Sequence, residues 1–390
     1  MNQHAHLEAN SRKSRTGLSA RTKTAMVIGG TGVMGSRLVA HLAAHSELDV
    51  VFTSRSRERA EVMARALQER YPESTIKGIS LDTSRAPGRV LHDCQPFLII
   101  DASGPFQNSD YAIPSAAIRA GAHYLDLADA RGYLTEFESA LDKMARDACL
   151  VARAGASSTP ALSFAAVRKL AENLEHVESV DIAITPGGQS EVGRAVVEAV
   201  LSYAGRPTPI WQNGRPEHRA GWSGATYLDV PGLGDRRVAL VETIDAQLIG
   251  ERLDVHGRVA FYAGLQSKIE QLGMEGLGWL VQKGLPLPTR SLAPLLHRVR
   301  SLTRFGMSDE GGMVVKISGR DKNGRVCDRQ WSLLARQGHG PVVPIMAAAA
   351  LAKKLARDQL TPGAGLACDV LLLEEIEAEM APYAISTNIS

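Results

Sequence analysis

Residues 26–38, MVIGGTGVMGSRL, place an apolar strand, a knot of glycines and the start of a helix in one short segment. Within it Gly30-Thr31-Gly32-Val33-Met34-Gly35 fits the pattern G-x-G-x-x-G. A strand before such a run and a helix after it is the context in which the pattern binds a dinucleotide. On this reading Gly30 permits the tight turn, Gly32 lets the backbone approach a pyrophosphate, and Gly35 allows close helix–strand packing. The helix N-terminus adds free N–H groups and a partial positive charge for the phosphates. Glycine-rich bends often serve only to turn the chain, but the position of this one, opening a βαβ series, favours the dinucleotide.

That series runs on. Short apolar strands are expected at 24–29, 48–53, 76–81, 97–101, 123–127 and 149–153. Between them, Ala60, Met63, Ala64 and Leu67, and later Leu134, Phe137, Leu141, Met144 and Ala148, repeat at helical spacing. Near-continuous apolar strands separated by amphipathic helices predict a doubly wound parallel sheet, a Rossmann domain over residues 24–160. Residues 161–340 change character. SVDIAIT at 179–185 reads as a strand, RPEHRAGWSG at 215–224 as a loop, and two β-rich runs around Asn323-Gly324 as a hairpin. Helices are expected near 265–280 and 292–302. This is a second, α+β domain with a mixed sheet that would bind substrate and close over the first. The stretch 341–390 reads as helical, and residues 1–23, polar and basic without an apolar core, as a disordered tail.

The end of the second strand selects between nicotinamide cofactors. An enzyme specific for NAD usually carries Asp or Glu there, accepting from the ribose 2′-OH. Here the strand ends FTSRSRER, with no acid, so Ser54, Arg55 and Ser56 would instead hold a 2′-phosphate. NADP is therefore the expected cofactor, with NAD as the alternative. Asp82, after the third strand, and Ser103-Gly104-Pro105, after the fourth, complete the expected cofactor edge.

Composition excludes several classes. Lys+Arg is 44 against 42 Asp+Glu in 390 residues, too balanced for a nucleic-acid footprint. The longest apolar runs fall short of a membrane span. Four scattered cysteines, with no C-x-x-C pair, read as buried thiols of a cytoplasmic protein and give no metal site. His41 and His45 lie four apart on a helix but lack a third ligand and read as exposed. The expected partner is a small-molecule substrate, and nothing in the chain rules out a homodimer.

The stretches VIGGTGVMGSRLVAHLA, DASGPFQNSDYAIPSAAIRAGAHYLDLAD and GASSTP together resemble the saccharopine dehydrogenase-like family of NAD(P)-dependent oxidoreductases. The resemblance implies a dinucleotide fold, a mixed-sheet domain closing over the nicotinamide, and a C-terminal segment packing back on the first domain. It also implies hydride transfer between the nicotinamide and an imine or secondary amine of an amino-acid-like substrate. Lysine-pathway members carry a stretch like E-x-G-L-D-P-G where this chain has RAGASSTPALS. Arg153 stands in place of the acid, which argues against saccharopine itself.

Reducing an imine needs a group that keeps its nitrogen protonated. Asp129, just past a strand end, His339, flanked by glycines, and Arg153, at the ligand edge, are the catalytic candidates. Ser157, Ser158 and Thr159 read as a helix cap before Pro160. A carboxylated substrate further requires a cation in the cleft, and Arg153, Arg219 and Arg336 are the candidates. Two other readings make distinct demands. An enoyl (C=C) reductase acting on a lipid-like substrate needs an apolar cleft and no clustered arginine. An NADP-sensing regulator needs an open apolar patch for a protein partner.

Overall fold

The computed structural model describes residues 23–81, 94–107, 109–190, 194–285 and 306–390. Asp82 and the helix expected near 292–302 lie outside these residues.

The first half alternates strands and helices: β1 (Thr24–Ile28), α1 (Val33–His45), β2 (Asp49–Ser54), α2 (Arg57–Arg70), β3 (Ile76–Ser80), β4 (Leu98–Asp101), α3 (Ala112–Arg119), β5 (His123–Asp126), α4 (Arg131–Asp147) and β6 (Val151–Ala154). β1 and β4 are buried along almost their whole length, as strands covered on both faces must be. Side-chain chemistry sets the start of α2, where Ser56 Oγ accepts from Arg59 N at 3.3 Å. No side chain caps α1, which begins at Gly32.

A π-helical turn (Ser158–Leu162) and α5 (Ser163–Leu170) lead into the second half: β7 (Leu174–Thr185), α6 (Arg194–Ser202), β8 (Pro207–Gln212), β9 (Arg215–Ala220), β10 (Thr226–Val230), β11 (Gly234–Leu240), α7 (Asp245–Arg252), β12 (Arg258–Ala263), α8 (Lys268–Gln282), β13 (Gly311–Asp321) and β14 (Val326–Ala335). The hairpin β13–β14 turns at Gly324, whose φ of 75° needs glycine. The stretch read as a loop at 215–224 is largely strand β9, paired with β8. Its alternating polar residues fit an exposed edge strand, which a search for apolar runs overlooks.

The last segment holds α9 (Met346–Ala356), β15 (Gly363–Leu366), α10 (Leu373–Met380) and β16 (Ile385–Ile389). The first sheet is parallel throughout, in the order β15-β6-β5-β4-β1-β2-β3. The second runs β10-β11-β12-β7-β13-β14-β16, with β8 on β12 and β9 on β8. It is mixed, because β7 and β12 pair parallel while the hairpin strands pair antiparallel. The C-terminal segment is thus not helical throughout. β15 is an edge strand, GAGL, and Gly365 sits under the Arg153 guanidinium, where a Cβ would lie 2.6 Å from it.

Two expectations about burial fail. His41 is buried, with Nε2 2.8 Å from Glu379 Oε2 and Nδ1 2.9 Å from the Tyr383 hydroxyl, because α10 packs over this side of α1. Of the cysteines only Cys368 is buried; Cys94 and Cys149 are exposed, Cys149 in the turn before β6 and not in the strand.

Candidate active site

The glycine bend works one residue earlier than its sequence pattern implies. Gly29 takes the left-handed turn, at φ 73°, and a Cβ on it would stand 2.8 Å from Ser103 Cα. The loops after β1 and β4 are therefore in contact at the ligand edge. Gly30, expected to make the turn, instead lies flat against Phe52. Gly35 packs on the Gly29 carbonyl, as close helix–strand packing requires. Gly32 is exposed, and a Cβ there would meet only the Gly29 carbonyl oxygen, at 3.1 Å. With no side chain capping α1, an open helix N-terminus faces a surface only glycine keeps clear. Such an end leaves room and free N–H groups for an anion. Thr31, Val33 and Met34 form the rest of this bend, half-buried around it.

Thr31 Oγ1 donates to Ser54 Oγ at 3.0 Å, and Ser56 N donates to the same oxygen at 3.2 Å. Ser54 is buried, so its hydroxyl serves to lock the two loops together. Ser56 caps α2. Arg55 is exposed at the end of β2, with no ion pair to any described residue, whereas Arg57 is engaged with Glu61 at 2.8 Å. On the other side of β1, Ser103 donates its hydroxyl to Asp101 Oδ1 at 2.6 Å, shaping the loop that continues into Gly104 and Pro105.

The same sheet edge opens onto a cavity of about 1060 Å³ between the two halves. Its larger part is apolar, with Val200, Leu201, Val241, Phe261, Met274 and Leu277 on the wall. Its polar end is built from Gln107, Asp129 and Arg131, which follow β4 and β5, and from Tyr203 and Glu242 of the second half. Burial pushes the Asp129 carboxyl above the ordinary carboxylate range. Burial raises Glu242 too; the Asp129 charge adds to the rise and Arg131 opposes it. The Tyr203 phenol is raised by burial and by both carboxylates, and so stays a hydrogen-bond donor.

Buried polar atoms on this wall lack a partner among the described residues, Gln107 Oε1, Arg131 Nε and Trp222 Nε1 among them. Trp222 is only 2% exposed, so its unpaired indole N–H stands out. Buried polar groups are rarely left unpaired, and several on one cavity wall point to a ligand that satisfies them.

Of the catalytic candidates only Asp129 lines the cavity. Arg153 sits mid-strand on β6, its side chain turned onto α4 beside Glu138 and Asp142. Its place in the strand pairing, not at the strand end, aims it away from the cleft. His339 accepts the Ala384 N–H on Nδ1 at 2.9 Å and stacks edge-on with Tyr383, fastening the C-terminal turn. It is absent from the cavity wall. Arg219 is exposed on edge strand β9, and Arg336 pairs with Glu310 at 3.0 Å. Thr159 does reach the cavity, but Ser157 makes no side-chain cap. Trp222 carries a weak sequence signal, a bulky residue between Gly221 and Gly224. Glu242 and Tyr203 carry none, because each is brought to the site by folding of the second half. Among the described residues, no group of three His, Cys, Asp or Glu is placed to hold a metal ion.

Residues 25–157 match the family model of the saccharopine dehydrogenase NADP-binding domain. Over those residues the chain is similar to that domain. The Saccharomyces cerevisiae apo saccharopine dehydrogenase (L-Glu forming) is similar in structure, at 14% identity, covering 94% of this chain and 100% of that one with a TM-score of 0.66. The C. glutamicum diaminopimelate (DAP) dehydrogenase in complex with DAP matches at 14% identity over 93% and 98% of the two chains, with a TM-score of 0.48. No curated protein matches the sequence. The saccharopine dehydrogenase NADP-binding domain, joined to a mixed-sheet domain in a two-domain dehydrogenase fold, is the architecture of an NAD(P)-dependent oxidoreductase. Among the described residues, no helix is long and apolar enough to cross a membrane.

Proposed function

We propose that the protein is an NADPH-dependent reductase of a substrate with an extended apolar body, and that the bond reduced is the C=C of an α,β-unsaturated carbonyl compound. The observation that carries this reading is the cavity wall, apolar over most of its surface, with Arg153, Arg219 and Arg336 all off it. An amino-acid-derived imine brings a carboxylate, and at the polar end it would meet the carboxyl groups of Asp129 and Glu242, neither of which offers it a positive charge. That juxtaposition is costly without a compensating cation. Of the two arginines on the wall, Arg131 already faces Glu242 and bonds Gln247 at 2.9 Å, and Arg206 is exposed to solvent. A neutral carbonyl incurs no such cost.

The residues at the glycine bend fit a dinucleotide: Gly29 and Gly32 keep the cradle open, α1 offers its N-terminus, and Arg55 is placed for a 2′-phosphate. When bound, NADPH supplies the hydride. Tyr203 O–H and Trp222 N–H are donors for the substrate carbonyl oxygen, which draws electrons from the double bond. Asp129, whose carboxyl is raised above the ordinary carboxylate range, delivers a proton to the α-carbon as the β-carbon gains the hydride. One hydride and one proton saturate the bond and leave the carbonyl intact. The apolar wall excludes water from both steps. A large cavity with polar groups at one end supports an enzyme over a cofactor-sensing regulator.

The test follows NADPH absorbance against two panels: medium- and long-chain enoyl thioesters and unsaturated ketones, and amines paired with 2-oxo acids. Turnover confined to the first supports this reading. Turnover confined to the second overturns it in favour of the imine.

A further inference from the structure

Helix α8 carries three glycines in fifteen residues, Gly273, Gly276 and Gly278. Glycine is the poorest helix former after proline, so each asks for a reason. Packing explains one of them. A Cβ on Gly278 would stand 3.0 Å from the Gly221 carbonyl oxygen and 3.3 Å from Trp222 Cβ, so this glycine lets α8 lie close against the turn that carries Trp222. Gly273 has no such neighbour. A Cβ there would meet nothing within 4 Å among the described residues. Its backbone is ordinary helix, outside the left-handed region, and any residue can adopt it.

What sets Gly273 apart is the cavity. α8 presents Ile269, Glu270, Gly273, Met274 and Leu277 to the wall, a stripe at helical spacing. Ile269, Gly273 and Leu277 are four apart and form one ridge, which has a gap where Gly273 carries no side chain. Ile269, 80% exposed, marks the open end of this stripe; Trp222, buried beside Gly278, marks the closed end. Gly273 lies between them, about 7.5 Å along the axis from Gly278 at the usual rise of about 1.5 Å per residue. The wall's other glycines differ. Gly264 is fixed by packing, since a Cβ would stand 2.7 Å from the Arg237 carbonyl oxygen, and Gly132 is open but stands beside Arg131 at the polar end. Gly276 is as bare as Gly273 and lies off the wall.

We propose that Gly273 determines the size of substrate the cavity accepts: the apolar body of the substrate occupies the room it leaves, running from the donors at Trp222 toward the open end. This deepens the reductase reading and rests on it for the substrate class, a carbonyl compound whose chain or ring system extends past position 273. A short substrate, held wholly at the polar end, does not reach the gap. A branched side chain at 273 would project into the space the long one needs. Extra carbon atoms forced into a filled space are penalised by about one to two decades.

The test compares Gly273→Leu with Gly276→Leu in the full chain. Both put a good helix former into α8, so both should melt at or above the temperature of the parent. In Gly273→Leu the ratio of kcat/KM for a long-chain unsaturated ketone to that for its short, water-soluble homologue should fall about tenfold or more. Gly276→Leu should keep the parent's ratio, and Gly273→Ala should fall between. A binding measurement sets chemistry aside. The saturated long-chain ketone should displace Nile red from the parent, with an affinity about tenfold lower in Gly273→Leu and unchanged in Gly276→Leu. Failure of that ketone to bind the parent overturns the proposal, as does an equal change in the two leucine variants. If the parent reduces neither ketone and the affinity still falls in Gly273→Leu alone, only the reductase chemistry falls. If the parent reduces both and Gly273→Leu behaves as the parent does, only the role of Gly273 falls.

Discussion

Asp126 Oδ1 accepts the backbone N–H of Gly155 at 2.8 Å, tying the end of β5 to the turn after β6. The same oxygen accepts Ala128 N at 3.0 Å, which sets the backbone just before Asp129, and Oδ2 accepts the Tyr133 hydroxyl at 3.0 Å. Asp126 thus positions the loop that presents Asp129 to the cavity.

Full burial pushes the Asp126 carboxyl up to about 7, against the opposing pull of the Gly155 and Ala128 N–H groups. The folded protein therefore holds this proton over a range where the unfolded chain has lost it. The stabilisation is complete below the unfolded value near 4, falls as pH rises from there to about 7, and is flat beyond. The loss is on the order of 3–4 kcal/mol. Urea unfolding across that range should show this slope. Asp126→Asn, which keeps an acceptor for both N–H groups and a donor toward Tyr133, should flatten it while leaving the protein folded.

The glycines of the bend should separate folding from binding. Gly29→Ala forces a side chain into a left-handed backbone and against Ser103, and is expected to cost about 1–3 kcal/mol in stability. Gly32→Val has room, meeting only the Gly29 carbonyl oxygen, so its melting temperature should stay close to the parent's. Its branched side chain would instead fill the cradle, and NADPH affinity measured by fluorescence should fall at least about tenfold. Tight NADPH binding by Gly32→Val would assign the glycines to the turn alone.

Arg55 sits at the end of β2 without an ion-pair partner among the described residues, and we propose that it reads a 2′-phosphate from there. A charge-assisted pair there gives on the order of 1–3 kcal/mol, one to two decades of preference for NADPH over NADH. Arg55→Ala should lose that preference and leave NADH affinity unchanged. Equal affinities in the parent protein would falsify the assignment.

The first half was legible in the sequence because its signals are local. Strand, bend and helix follow one another around Gly32, and apolar periodicity marks each layer of the parallel sheet. Even there the turn glycine is Gly29 and not Gly30, since only the contact with Ser103, far along the chain, distinguishes them. The site was legible where it grows from that sheet, at Asp129. It was illegible where the second half contributes. Glu242, Tyr203 and Trp222 stand on separate elements, and no spacing relates them before folding does. Arg153 was misplaced because pattern alone cannot tell a residue at a strand end from one paired within the strand. His41 was taken as exposed because the residues that cover it, Glu379 and Tyr383, lie at the far end of the chain.

Asp129 is the group whose removal should affect chemistry most. Its carboxyl is raised by burial at the polar end of the cavity, so it keeps a proton to a higher pH than an ordinary aspartate. An acid that must be protonated makes turnover fall as pH rises through its pKa, and the parent enzyme should show that alkaline limb in kcat/KM. Asp129→Asn keeps the shape of the wall and can still face Gln107, whose Nε2 lies 3.4 Å from Oδ1. It has no proton to give. The expected loss in kcat is about 10²–10⁴-fold, with the limb abolished and NADPH affinity unchanged. Glu242→Gln provides the contrast: the Asp129 shift comes from desolvation and not from the Glu242 charge, so both the alkaline limb and kcat should be largely kept. An Asp129→Asn enzyme that retained both its rate and its pH limb would transfer the role of acid to another group on the wall, Tyr203 first among them.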